Sequence, residues 1–118
     1  MAIKKYGTYK NPNVEPITED LDWWTPVEGS PTMRTWIEYQ SEDGNLISGY
    51  WEATPGSYKV KYEVDEFIHM FEGRVTLTDK GKEPQTFVAG DTFLIEAGFD
   101  GIWKTEETVR KTLAIRKR

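Results

Sequence analysis

From residue 33 onward, short apolar runs alternate with polar turns at a spacing that suits strands rather than helices. Residues 34–40 are rich in β-formers and end at Glu42-Asp43-Gly44-Asn45, a strong turn signal. Residues 46–54 continue as strand until Pro55-Gly56 turns the chain. Residues 58–62 alternate aromatic or aliphatic side chains with lysine, the period of a half-buried strand. Residues 66–71 lead through Gly73 into a strand over 74–78, and residues 79–84 make the next turn. Strands over 85–88 and 92–95 flank Gly90-Asp91, and Gly98 and Gly101 bracket a further reversal before a strand over 102–104. The last strand runs over 109–115, with Val109, Leu113 and Ile115 on one face. Seven or more short strands without helical periodicity predict an all-β sandwich or barrel.

A chain of 118 residues fits one domain, and 37% hydrophobic with 14% aromatic content supplies enough apolar surface for a core. Residues 1–32 read as an irregular N-terminal arm, broken by Pro12, Pro16, Pro26 and Pro31, ahead of a barrel over 33–118. Within the arm, Trp23-Trp24 places two adjacent indoles that are costly to leave in water. The arm is therefore expected to pack on the barrel or on a partner subunit, with a ligand-covering role as the alternative.

The net charge of −5 and pI near 4.9 argue against nucleic acid as a partner. Arg110, Lys111, Arg116, Lys117 and Arg118 make the C-terminus basic, but apolar residues interrupt them, as in a strand with a solvated face. No stretch approaches the ~18 apolar residues of a membrane span. The start lacks the apolar run of a signal peptide and there is no cysteine, so a cytoplasmic protein without disulfides or thiolate chemistry is expected.

Two glycine-containing motifs carry a family resemblance. They are Trp51-Glu52-Ala53-Thr54-Pro55-Gly56 with Asp65-Glu66-Phe67-Ile68-His69-Met70-Phe71-Glu72-Gly73, and Gly90-Asp91-Thr92-Phe93 with Ala97-Gly98-Phe99-Asp100-Gly101-Ile102-Trp103. In these residues the chain resembles the small single-domain cupins grouped with the ethanolamine-utilisation Q protein and ureidoglycine aminohydrolase. The resemblance implies a double-stranded β-helix (a jelly-roll barrel), often a homodimer, with a ligand pocket in its mouth. In its metal-binding form the first cupin motif reads G-x5-H-x-H-x3,4-E-x6-G. Glu66 and Gly73 keep the E-x6-G spacing, but the histidine positions fall on Val60 and Tyr62, or on Lys59 and Lys61. The second motif, G-x5-P-x-G-x2-H-x3-N, keeps Gly90 and Gly98, while Glu96, Gly101 and Thr105 replace proline, histidine and asparagine. All three imidazole ligands are gone, so no metal and no other cofactor is expected.

Strand alternation also disqualifies the pair Glu66 and His69, since residues three apart point to opposite faces. With Glu66 facing inward, Ile68 and Met70 share its face, while Phe67, His69 and Phe71 face outward. Asp91, Glu96 and Asp100 remain as partners of Glu66 in an oxygen-only metal site. An ionised carboxylate inside a barrel needs a partner. The candidates in sequence are Lys59, Lys61 and Tyr62. Trp51, Trp103 and Glu96 complete the expected ligand-binding set. Tyr50 and Tyr58 are further aromatic pocket or core material.

Three functional readings follow. The first is a barrel that binds a small polar metabolite without a His-ligated metal. The second is a metal-independent or weakly metal-dependent isomerase, lyase or hydrolase with Glu66 as its catalytic acid/base. The third is a structural dimer whose barrel is filled by its own side chains.

Overall fold

The computed structural model describes residues 2–118, so Met1, the first residue of the arm, lies outside it. Eight strands form the fold: β1 (Trp24–Gly29), β2 (Met33–Gln40), β3 (Leu46–Ala53), β4 (Gly56–Lys61), β5 (Val64–Asp79), β6 (Gln85–Val88), β7 (Thr92–Ile95) and β8 (Asp100–Lys117). Every pairing between them is antiparallel. No helix of the described residues is long and apolar enough to cross a membrane.

The long strands β5 and β8 lie side by side, from Val64 opposite Lys117 to Asp79 opposite Gly101. On its other edge β8 pairs with β3 through its C-terminal half and with β4 through its N-terminal half. β7 and β6 likewise occupy the two halves of the far edge of β5. Two half-sheets result, β2-β3-β8-β5-β7 and β1-β4-β8-β5-β6, joined through the two shared strands. They face each other: Trp51 on β3 meets Trp24 on β1 at 5.3 Å between ring centroids. This is a single-domain, all-β barrel of two facing half-sheets, the architecture that the resemblance implies.

The sequence pattern divided each long strand in two, at Gly73 and after residue 104. The structure shows continuous strands that bend, and β5 explains why. Glu66, Ile68 and Met70 are buried along its first half, whereas Val75 and Leu77 are buried along the second. The inward set changes from even to odd residues across irregularities at Met70/Glu72, Glu72/Arg74 and Arg74/Val75. Bulges of this kind insert the unpaired residue that flips the alternation and bends the strand. Gly73 sits in the bend with φ +96°, and a Cβ there would lie 2.2 Å from the Thr108 carbonyl oxygen.

A second difference concerns the arm. Residues 24–29 form a strand rather than irregular chain. Pro26 is tolerated because β1 pairs with β4 alone, on the sheet edge, where a missing N–H costs little. Upstream, the arm lies on the outer face of the β2-β3-β8-β5-β7 half-sheet. Asn13 N–H donates to Glu38 Oε2 at 2.6 Å, the Tyr50 hydroxyl donates to the Gly7 carbonyl at 2.7 Å, and Tyr9 stacks on Phe71 at 4.3 Å.

Candidate functional site

Glu66 projects into the barrel, as strand alternation requires, and is 2% exposed. Both of its oxygens are engaged. The Tyr62 hydroxyl donates to Oε1 at 2.5 Å, and the Lys111 ammonium donates to Oε2 at 2.8 Å. Lys111, on β8, is itself 1% exposed. Its Nζ lies 4.3 Å from the ring centroid of Trp51, 4.4 Å from Trp103 and 5.9 Å from Trp24. Indole faces attract a cation most strongly where water is excluded, so they share with Glu66 the burial cost of the charge. Burial pulls the Lys111 ammonium below its ordinary pKa, while the charge and hydrogen bond of Glu66 pull it back up. Burial, reinforced by the neighbouring Glu66, holds the Tyr62 phenol well above its ordinary value, so it stays a hydrogen-bond donor.

Tyr62 is thus a partner of Glu66, but the cation is Lys111 and not Lys59 or Lys61. Both of those lysines are exposed, because Tyr58, Val60 and Tyr62 take the inward positions of that segment. Trp51 and Trp103 belong to the wall around Lys111 and are fully packed at 1% and 0% exposure. Glu96 lies away from this cluster, in the exposed turn after β7. His69 faces outward, with Nδ1 2.7 Å from Thr92 Oγ1. Sequence reasoning missed Lys111, and although it expected Trp23-Trp24 to pack on the barrel or a partner it did not place Trp24 on a strand beside Lys111.

These residues do not fit the metal site that the fold can carry. No group of three His, Cys, Asp or Glu able to hold a metal occurs among the described residues, so Asp91, Glu96 and Asp100 do not gather around Glu66. At Gly101, where the second motif has histidine, a Cβ would lie 1.9 Å from the Thr78 carbonyl oxygen. With β5 drawn this close, position 101 has no room for a side chain.

The open space lies to one side of the cluster. A cavity of about 510 Å³ opens between the β6 and β7 edges of the half-sheets. Phe87 on β6 and Phe93 on β7 stack at 3.9 Å in its wall, with Phe99, Leu77 and Ile95 beside them and Asp79, Lys82, Gln85 and Glu96 supplying polar groups. Phe99 also meets Tyr62 edge-on at 5.7 Å, and Ile95 is registered opposite Glu66. One layer of side chains therefore separates this mouth from the buried ion pair.

Outside the barrel, Arg110, Arg116 and Arg118 of the basic C-terminus pair with carboxylates. Arg34 and Arg110 both pair with Glu52, at 2.7 and 2.9 Å, and Arg116 and Arg118 both pair with Asp65, at 2.5 and 2.9 Å. Hydrogen bonds from Arg118, from the Ala97 amide and from Arg116 hold the Asp65 carboxyl far below its ordinary value of 3.8. A carboxyl depressed in the folded state stabilises the fold fully above its unfolded pKa and loses that contribution as pH falls toward its folded one. Melting curves should therefore show stability falling below about pH 4, and Asp65→Asn should flatten that acid limb. An acid limb identical in the variant would remove Asp65 from the account.

These geometries define a cupin whose barrel carries an internal ion pair. The comparisons identify the family: the profile of the EutQ-like cupin domain matches residues 40–112, well over half of the chain, and the chain belongs to that family. Among solved structures it is similar to EutQ of Clostridium difficile, with TM-score 0.64 and 15% identity over 74% of this chain and 64% of that one. A DUF861-family protein of unknown function from Pseudomonas syringae gives TM-score 0.68 and 25% identity over 85% and 43%. A putative ethanolamine utilization protein Q from Salmonella typhimurium gives 0.62 and 19% over 75% and 70%. The chain thus spans less than two thirds of the first two of these proteins. A search of curated proteins found no match.

Proposed function

We propose that this cupin is a binding module for a small polar metabolite, works without a His-ligated metal, and takes its ligand in the mouth between β6 and β7. The cavity of about 510 Å³ carries this reading. Ligand sites of ~300–1,000 Å³ with apolar walls and a few polar groups are typical for small molecules. Stacked Phe87 and Phe93 offer a flat apolar surface, and Glu96 and Gln85 offer hydrogen-bond groups at its rim. The enzymatic alternative is less well supported. Both oxygens of Glu66 are already committed, to Tyr62 and to Lys111, and no substrate atom reaches them in this arrangement.

A thermal-shift screen of small polar metabolites tests the proposal. A ligand present at ~100 times its Kd should stabilise the protein by about 2.7 kcal/mol through mass action. Ala97→Trp, which places an indole in the mouth, should abolish that shift. A shift that survives Ala97→Trp, or a broad screen without any shift, would count against binding at the mouth.

A further inference from the structure

Among the described residues, Trp24 is the one fully buried aromatic ring supplied by an edge strand. It is 4% exposed and packs against Trp51, Tyr58 and Trp103 at 5.3, 5.6 and 5.5 Å between centroids. Its indole Nε1 is buried without any hydrogen-bond partner. Such a sealed donor is costly, and indole N–H groups in cores usually find an acceptor. Lys111 beside it has one oxygen partner, Glu66 Oε2, so its remaining N–H groups face rings. A sealed indole N–H without an acceptor and an ammonium with one oxygen partner thus belong to the same aromatic cluster, the Lys111 Nζ lying 5.9 Å from the Trp24 ring centroid.

The strand that carries Trp24 is weakly held. β1 pairs only with β4, its register slips between Pro26 and Glu28, and the five residues after Trp24 are all exposed. Trp23, just before it, packs edge-on against Tyr62 at 4.9 Å. Its other side lines a surface cavity of about 410 Å³ together with Lys61, Glu63 and Val64. Withdrawing the Trp23-Trp24 pair would connect this cavity to Tyr62 and to the Lys111–Glu66 pair.

We infer that Trp24 is a displaceable plug, occupying a second ligand site inside the barrel that takes a flat aromatic or heteroaromatic molecule bearing a carboxylate. The vacated space is the size of an indole and is walled by Trp51, Tyr58, Tyr62 and Trp103, which dictates a planar ring. The freed N–H groups of Lys111 dictate an anionic acceptor. This site is separate from the mouth between β6 and β7.

Indole-3-carboxylate, with neutral indole for comparison, is the probe. Trp24→Ala should bind both, and the carboxylate about tenfold more tightly because its hydrogen bond to Lys111 is charge-assisted. Wild type should bind indole-3-carboxylate more weakly than the variant, since only its unplugged fraction is competent. Backbone amide exchange in β1 should be faster in the wild-type complex than in the free protein. Phe93→Ser, in the other cavity, should leave this binding unchanged.

Three results would overturn the inference. A folded Trp24→Ala that ignores both probes, or binds them equally, removes the site. Wild type that does not bind, or binds with β1 exchange unchanged, makes the plug permanent. Loss of binding in Phe93→Ser assigns the probe to the mouth. Should Trp24→Ala not fold, the wild-type exchange experiment decides alone.

Discussion

Lys111→Met should destabilise the protein by about 3–5 kcal/mol, the usual cost of leaving one member of a buried ion pair alone. For a domain of this size that corresponds to a fall in Tm of roughly 10–20 °C. The loss comes from Glu66, which the variant leaves 2% exposed with only the Tyr62 hydroxyl to serve it. A combined Tyr62→Phe, Glu66→Leu, Lys111→Met variant removes every member of the cluster at once. It should recover to within about 2 kcal/mol of wild type, because apolar replacement of a whole buried pair is often neutral. Denaturant melts of both variants check this. A single variant as stable as wild type would mean that Lys111 is not the partner of Glu66.

Gly73→Ala should be at least as damaging, for a reason that has nothing to do with charge. The added methyl meets the Thr108 carbonyl oxygen at 2.2 Å and the backbone is held at φ +96°. Relief requires β5 to separate from β8 at the bend that lets the half-sheets face each other. A loss of about 4 kcal/mol or more places this change at the extreme of point substitutions. Failure to accumulate folded protein, or a Tm lowered by ~15 °C or more, is the expected result. Near-native melting would show that the bend tolerates rearrangement.

Much of this architecture was written in the alternation of side chains. The strands, the turns, the inward Glu66 and the outward His69 all follow from period two. The paired motifs pointed to the barrel and to the missing imidazoles. What the pattern concealed has a physical cause in each case. Lys111 shares the face of Val109 and Leu113, so parity alone places it inside, yet a lysine among arginines reads as a solvated charge. Only a carboxylate and indoles brought from β5, β3 and β1 make its burial tolerable, and those contacts are distant in sequence. Lys59 and Lys61 looked like partners of Glu66 because the motif spacing fell on them, whereas their own alternation with Tyr58, Val60 and Tyr62 turned them outward. The strand that carries Trp24 was hidden by Pro26, which suggested an irregular arm where an edge strand runs. The resemblance implied a pocket in the barrel's mouth, but its lining by Phe87, Phe93 and Phe99 was not legible, since β6, β7 and the turn after β7 approach one another only when the half-sheets close.

Glu66 stands where the family motif has its glutamate, and on this account an ammonium in an indole cage stands opposite it in place of a metal. Metal analysis of protein purified without an affinity metal tests this most directly, combined with melting in chelator and in excess Zn²⁺, Mn²⁺ or Ni²⁺. The account predicts substoichiometric metal and a Tm unchanged by chelator or by any of the three ions. One metal per chain, with a Tm that chelator lowers and the ion restores, would contradict it.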